Sequence, residues 1–336
     1  MDVAMEISFV IPMYNASSTI LRCLDSIYCL PVEESFFEVI AIDDCSTDNT
    51  VEMVKEYALQ HPNLVLLCQL ENHRQGAARN RGVAVAKGKY IVFVDSDDES
   101  SKGVVDAVRL AEENCLDMVA MRYSKFGNDG DDRKDAGLPY GKNDLFTGIE
   151  MQTNFPFWNT GPCAYIYRKS FLDRINYPFA EDVLYEDSDF VNVHLYYATR
   201  MMYCDECGYV VHYNSTSTTH TLSSKHLCDY ALLGTRMLKF YESIEDKASI
   251  YADGILEGGS YNIMKAFNRL FRLKSANEVR AFYDRFDSHY DRKLLLGYHK
   301  PSYCWTRWTR FGLKHRNFCV FIIKFAFPIK LLFQKK

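Results

Sequence analysis

Tyr90 to Val94 is an unbroken run of aromatic and β-branched residues, and it leads directly into Asp95-Ser96-Asp97-Asp98-Glu99. Such a run has the character of a strand buried on both faces, so the acids after it reach solvent only at its carboxyl end. Four carboxylates within five residues repel one another. Capping the positive end of a helix that starts at Ser100 or Ser101 would absorb one or two of them. The surplus calls for a cation. Ligands of open α/β sheets collect at the carboxyl ends of strands, so the pattern suggests a divalent metal held together with a phosphorylated ligand.

The flanking sequence supplies the sheet. Apolar runs at residues 7–13, 37–42, 64–67 and 118–123 read as further strands, and helical spacing is present near residues 17–27, 51–60, 75–86 and 104–111. Strand and helix alternating over short connections imply an α/β, mostly parallel sheet flanked by helices. The strand at 37–42 also ends in acid, Asp43-Asp44. If both strand ends open into one crevice, the two acid groups form one site. A third acidic group, Glu181-Asp182 and Glu186-Asp187, precedes Phe190, Val193, His194 and Tyr197 at helical spacing. Ser188 or Asp189 suffices to cap that helix, which leaves Glu186 and Asp187 surplus.

Composition bounds the remainder. A chain of 336 residues with 48% hydrophobic content can build one large domain or two. Met1 to Ile11 lacks the basic start and long apolar run of a signal peptide. The eleven irregularly spaced cysteines then read as reduced thiols in the cytoplasm. Cys204-Asp-Glu-Cys207 could be half of a zinc site completed by His212, His220 or Cys228. With no second Cys-x-x-Cys, buried free thiols are the simpler reading. Residues 127–141 read as a polar surface loop, and Phe155 to Gly161 as aromatic core or a stacking surface for a sugar ring. Residues 225–290 read as helices without a chemical motif.

The net charge of −5 conceals an asymmetry: from Arg292 onward there are 11 of the 39 Lys and Arg and no acid, so residues 1–291 carry 28 basic against 44 acidic side chains. The apolar run from Phe318 is broken by Lys324, Pro328 and Lys330, short of the ~20 residues a membrane span requires. Basic residues interleaved with Trp and Phe fit a helix lying in an anionic membrane surface, the alternative being a terminal helix packed on the protein or on a second copy.

Five motifs in order resemble glycosyltransferase family 2: Val10-Ile11-Pro12-Met13-Tyr14-Asn15, Asp43-Asp44-Cys45-Ser46-Thr47-Asp48, Gly76-Ala77-Ala78-Arg79-Asn80-Arg81-Gly82, Val94-Asp95-Ser96-Asp97-Asp98 and Tyr185-Glu186-Asp187. The resemblance covers residues 7–190 and is only general beyond residue 225. It implies the GT-A fold and an inverting transfer of one sugar from a nucleotide-diphosphate sugar, UDP-linked in the first instance. The acceptor would be a saccharide or a lipid-linked acceptor in surface polysaccharide or glycolipid synthesis. Pro12, Tyr14 and Asp44 look like the base-binding group, with Gly76, Arg79, Asp95 and Ser96 completing the nucleotide-sugar site. Asp97 and Asp98 look like the ligands of manganese or magnesium, Asp187 like the general base and Glu186 like its partner. A catalytic domain is expected over residues 1–222 (nucleotide half 1–123, acceptor half 124–222), a helical extension over 223–300 and a membrane-associating tail over 301–336. The enzyme would work in the cytoplasm at the inner face of the cell membrane, without nucleic acid.

The Gln-x-x-Arg-Trp signature of processive synthases is absent near Tyr209-Val-Val-His212, which favours single additions and leaves His212 either near the diphosphate or structural. A sugar-nucleotide-forming nucleotidyltransferase would need a Gly-rich phosphate loop, and Pro12-Met-Tyr-Asn-Ala lacks it. A non-catalytic nucleotide-sugar-binding protein would have no use for a candidate base.

Overall fold

The computed structural model describes residues 6–126, 132–134, 138–141, 144–155, 161–212, 223–247, 249–273, 275–289, 314–316 and 319. The chain divides into two compact units, Met1–Ser215 and Thr216–Lys336. The first is built on a nine-stranded sheet in the order β3-β2-β1-β4-β8-β6-β9-β5, with β7 beside β6. Its strands are β1 Ile7–Met13, β2 Phe37–Asp43, β3 Leu64–Cys68, β4 Tyr90–Phe93, β5 Glu99–Ser100, β6 Met118–Phe126, β7 Asp132–Lys134, β8 Tyr165–Arg168 and β9 Met201–His212. Its helices are α1 Ile20–Tyr28, α2 Thr50–Ala58, α3 Arg74–Val85, α4 Gly103–Glu113, α5 Gly148–Asn154, α6 Lys169–Ile175 and α7 Asp187–Tyr197.

β1, β2, β3 and β4 are mutually parallel, so the carboxyl ends of β1, β2 and β4 lie along one edge of the sheet. Every residue of β1, β2 and β4 is buried, as their continuous apolar runs require of strands covered on both faces. The mostly parallel expectation needs one refinement. β8, whose short Tyr165-Ile-Tyr-Arg stretch gives no alternating pattern, is inserted antiparallel between β4 and β6. β6 then pairs parallel with β9.

Two local expectations are corrected. Glu99 and Ser100 do not lead a helix: as β5 they pair with Val210 and Tyr209 of β9, and α4 starts only at Gly103. The α7 helix begins at Asp187 after Glu186, ahead of the predicted caps Ser188 and Asp189. The Cys204–Cys207 pair also finds its explanation. Met121 pairs with Cys204 and Arg122 with Cys207, so Asp205 and Glu206 are looped out of β9 as a bulge. Both thiols are free, and no metal-holding group of His, Cys, Asp or Glu is formed among the described residues.

Small residues on α3 let it lie directly on the sheet. A Cβ at Gly82 would stand 2.4 Å from Val10 Cγ1 and 2.9 Å from Ile42 Cδ1. On the same face of the sheet, an aromatic cluster seats α7: the ring of Phe190 stacks on Phe179 at 3.7 Å and meets Phe93 of β4 and Tyr167 of β8 edge-on. α3 and α7 thus bring their first turns to the carboxyl edge.

The second unit contains α8 Ser224–Ser243, α9 Ile250–Arg269 and α10 Ala276–His289. α8 and α9 pack closely where Gly234 faces the carbonyl of Gly259. Most of the basic tail lies outside the described residues. Arg316, which is described, pairs with Asp284 and, at 3.0 Å, with Asp287 of α10. No helix among the described residues is long and apolar enough to cross a membrane.

Gly82→Ala is predicted to lower unfolding free energy by about 1–3 kcal/mol in denaturant titrations, because overpacking of the α3–sheet contact outweighs the better helix propensity. An unchanged midpoint would contradict the close-approach role.

Candidate active site

The loop after β1 is locked to the loop after β2. Asn15, at φ +50°, donates its N–H to Ser46 Oγ at 2.9 Å and accepts on Oδ1 from the Thr47 N–H at 2.8 Å. Ala16 N–H donates to Thr50 Oγ1 and Ser17 N–H to Asp48 Oδ2, at 2.8 and 3.1 Å. Partial burial works against it, yet bonds from Thr50 and Ser17 hold the Asp48 carboxyl down at about 2. This knitting places Tyr14, half exposed, next to Asp44, whose N–H donates to Met13 O at 2.8 Å. Asp44 is buried, and its Oδ1 accepts from Gln69 Nε2 and from the His73 N–H, both at 2.8 Å. Burial raises its pKa against those bonds. Pro12 lies within β1 opposite Ile42, buried.

The acid cluster is assembled by β9. Tyr209 Oη accepts from the Asp95 N–H at 3.3 Å and donates to Asp98 Oδ2 at 2.5 Å, while the His212 N–H donates to Asp98 Oδ1 at 2.8 Å. Both oxygens of Asp98 are therefore engaged by the strand behind it. Burial and then the charge of Asp95 push the Asp98 carboxyl up to about 8. Asp97 and Ser96 stand half-buried on the turn, where Arg22 Nη2 donates to the Asp97 carbonyl at 2.5 Å. Arg22 Nε and His212 Nε2 flank Glu99 at 3.1 and 2.8 Å.

The third acidic group arrives through α3. Arg79, only 2% exposed, donates from Nη2 to Asp95 Oδ1 at 2.8 Å and from Nη1 to Glu186 Oε1 at 2.5 Å. Its guanidinium carbon also lies 5.3 Å above the ring of Phe179. Gly76, one turn earlier, admits the approach: a Cβ there would stand 2.1 Å from Ala180 O. A parallel clasp joins His73 Nδ1 to Asp182 Oδ1 at 3.0 Å, with the Asp182 N–H donating to His73 O. Asp187, half-buried at the first position of α7, has its carboxyl raised to about 7, by burial first and then by the adjacent Glu186, with Arg79 acting in the opposite sense.

The three acidic groups, read separately from sequence, thus meet at one edge. Two placements differ from the sequence reading. Arg79, expected in the nucleotide-sugar site, is buried between Asp95 and Glu186, and Gly76 lies against Ala180 O. Gln69, His73, Arg22 and Tyr209 were not singled out: each acts across the sheet, and no spacing in the sequence marks them. A cavity of about 350 Å³ lined by Tyr140, Asp144, Leu145, Phe146, Glu150 and Asn154 shares none of these side chains.

The glycosyl transferase family 2 model matches residues 8–175. The uncharacterized glycosyltransferase YibD of Escherichia coli strain K12 is 30% identical over 263 residues, 74% of this chain and 74% of that protein. The poly(ribitol-phosphate) beta-N-acetylglucosaminyltransferase TarS of Staphylococcus aureus is 33% identical over 121 residues, 35% of this chain and 21% of that protein. Among solved structures, S. aureus TarS 1–349 in complex with UDP-GlcNAc is similar with a TM-score of 0.62 at 20% identity, covering 95% of this chain and 89% of that one. The mannosyltransferase PcManGT from Pyrobaculum calidifontis, in complex with GDP-Man and Mn2+, gives 0.54 at 16% identity over 98% and 88% of the two chains. The chain belongs to glycosyltransferase family 2: it has the GT-A fold and is a glycosyltransferase.

Proposed function

We propose that this enzyme transfers a single sugar, with inversion, from a UDP-sugar to a saccharide or lipid-linked acceptor of a surface polysaccharide or glycolipid. The observation that carries the reading is Asp187, a carboxyl raised to about 7 at the start of α7 and joined through Glu186 and Arg79 to the acid-bearing strand end. A base poised near the working pH is what proton abstraction from a hydroxyl requires. Asp187 takes the acceptor's proton as its oxygen attacks the anomeric carbon from the face opposite the leaving diphosphate, the logic of inverting glycoside chemistry. Tyr14 receives the base at the strand end that Pro12, buried in β1, helps to shape. Asp44, whose carboxyl already accepts from Gln69 and from the backbone of His73 and Arg74, is the acceptor for a base N–H. Asp95 faces the ribose beside Ser96. TarS, crystallised with UDP-GlcNAc, makes that donor the first to try.

The acid cluster fits a divalent cation. Asp97 and Asp98 offer the few carboxylates that manganese or magnesium takes together with phosphate oxygens and water. Asp98 is lifted to about 8 by burial first and then by the charge of Asp95, and a bound cation would offset the second of these. Asp97 would hold the metal, with Asp98 behind it, braced by Tyr209 and His212. When bound, the metal neutralises charge on the leaving diphosphate.

Asp187→Asn should lower kcat by roughly 10²–10⁴-fold while UDP affinity by calorimetry stays unchanged; unimpaired turnover would remove the base assignment. Because the Asp187 pKa is raised, its base form is lost as pH falls through about 7, so kcat should decline on the acid side of that value. A flat profile from pH 5 to 8 would contradict this. For residues 301–336 we retain the membrane-surface role. Truncation after Tyr303 should abolish co-sedimentation with anionic liposomes and leave UDP affinity intact, and equal partitioning of both chains would reject that role.

A further inference from the structure

Arg79 is the one buried cation among the described residues of this site that touches both the donor-side and the base-side acids. At 2% exposure, with Nη2 on Asp95 and Nη1 on Glu186, it cannot reach a substrate without abandoning both partners. Arginine suits this place because its planar fork presents separate N–H edges to two carboxylates, whereas a lysine presents a single point charge. Burying such a triad costs more in desolvation than an apolar packing of the same volume, so its worth lies in fixed geometry. The geometry is specific. Glu186 occupies the N-cap position of α7 but makes no side-chain cap bond there; its carboxylate turns inward to Arg79. Tyr185 just before it is held at φ +67°, and Gly76 clears room for Glu186, whose Cγ would stand 3.2 Å from a Cβ at that position.

We propose that Arg79 is a positioning residue that locks the first turn of α7, and with it Asp187, to the strand end carrying Asp95, acting through Glu186 rather than on the substrate. The inference rests on Asp187 being the base. It predicts strong coupling. Arg79→Met should cost about 30-fold in kcat in the wild-type background but only about threefold in Glu186→Gln, where the strut is already broken. The acid limb of kcat supplies a readout that folding defects do not move. Asp187 is faced by Glu186, Asp95 and Tyr167, with Arg79 the opposing cation and the Ser188 N–H a bond donor. Loss of Arg79 should therefore shift the limb to higher pH, and Glu186→Gln should shift it to lower pH.

The test is this double-mutant cycle on the full chain, with UDP affinity measured by calorimetry and folding by circular dichroism. Equal losses in both backgrounds, an unmoved acid limb and UDP affinity reduced about tenfold or more would make Arg79 a direct diphosphate contact and overturn the proposal. Should Arg79→Met fail to fold, Arg79→Lys, which keeps the charge but serves only one carboxylate, is carried through the same cycle under the same criteria. Absence of turnover by the wild-type chain with any nucleotide sugar and manganese removes the base assignment and this proposal together. Wild-type turnover with additive variants removes this proposal alone.

Discussion

The site depends on holding many negative charges at one sheet edge without a matching number of cations. Asp44, Asp95, Asp97, Asp98, Glu186 and Asp187 all gather at or beside strand ends of the first unit. Protein groups answer most of that charge. Backbone N–H groups of His73 and His212 serve Asp44 and Asp98, Tyr209 braces Asp98, and Arg79 spans Asp95 and Glu186. What they leave is uneven: two carboxyls, Asp98 and Asp187, are pushed up to about 8 and about 7. Under the proposed function the same burial that makes ionisation costly would give each a use, one beside a place for a cation and the other as a base near neutral pH.

The fold explains why residues so far apart in the chain share that edge. Parallel strands place successive carboxyl ends side by side, which serves the loops after β1, β2 and β4. The remaining contributions come from the antiparallel insertion. β8 extends the sheet beyond β4, and the aromatic stack of Phe179 and Phe190 against Phe93 seats α7 beside it. β9 returns to deliver Tyr209 and His212 behind the acid turn. Glycines at positions 76 and 82 allow α3 to approach closely enough for Arg79 to reach both acids.

Much of this was legible in the sequence where local pattern decides structure. The apolar runs of β1, β2 and β4 announce buried parallel strands, and the acids that end two of them announce a polar edge. The helix at residues 50–58 follows from the Ser, Thr, Asp and Asn that cap it, and that at 74–85 is marked by its small residues. Elsewhere long-range pairing overrode local signals. Glu99 and Ser100 have the composition of a helix start, yet β9 pairs with them and Arg22 meets the Glu99 charge, so a strand forms. Arg79, flanked by small helical residues, enters the sequence reading only through its family motif, as part of the nucleotide-sugar site. Only its two carboxylate partners, on β4's end and on α7, explain how a guanidinium is buried.

The central claim is a single base carboxylate opposite the leaving group, and the stereochemistry of one turnover tests it most directly. Transfer from an α-linked UDP-sugar, followed by proton NMR of the anomeric centre before mutarotation, should give the β-linked product. An α-linked product would require a second displacement or front-face attack, and would contradict the assignment of Asp187 as the base of an inverting reaction.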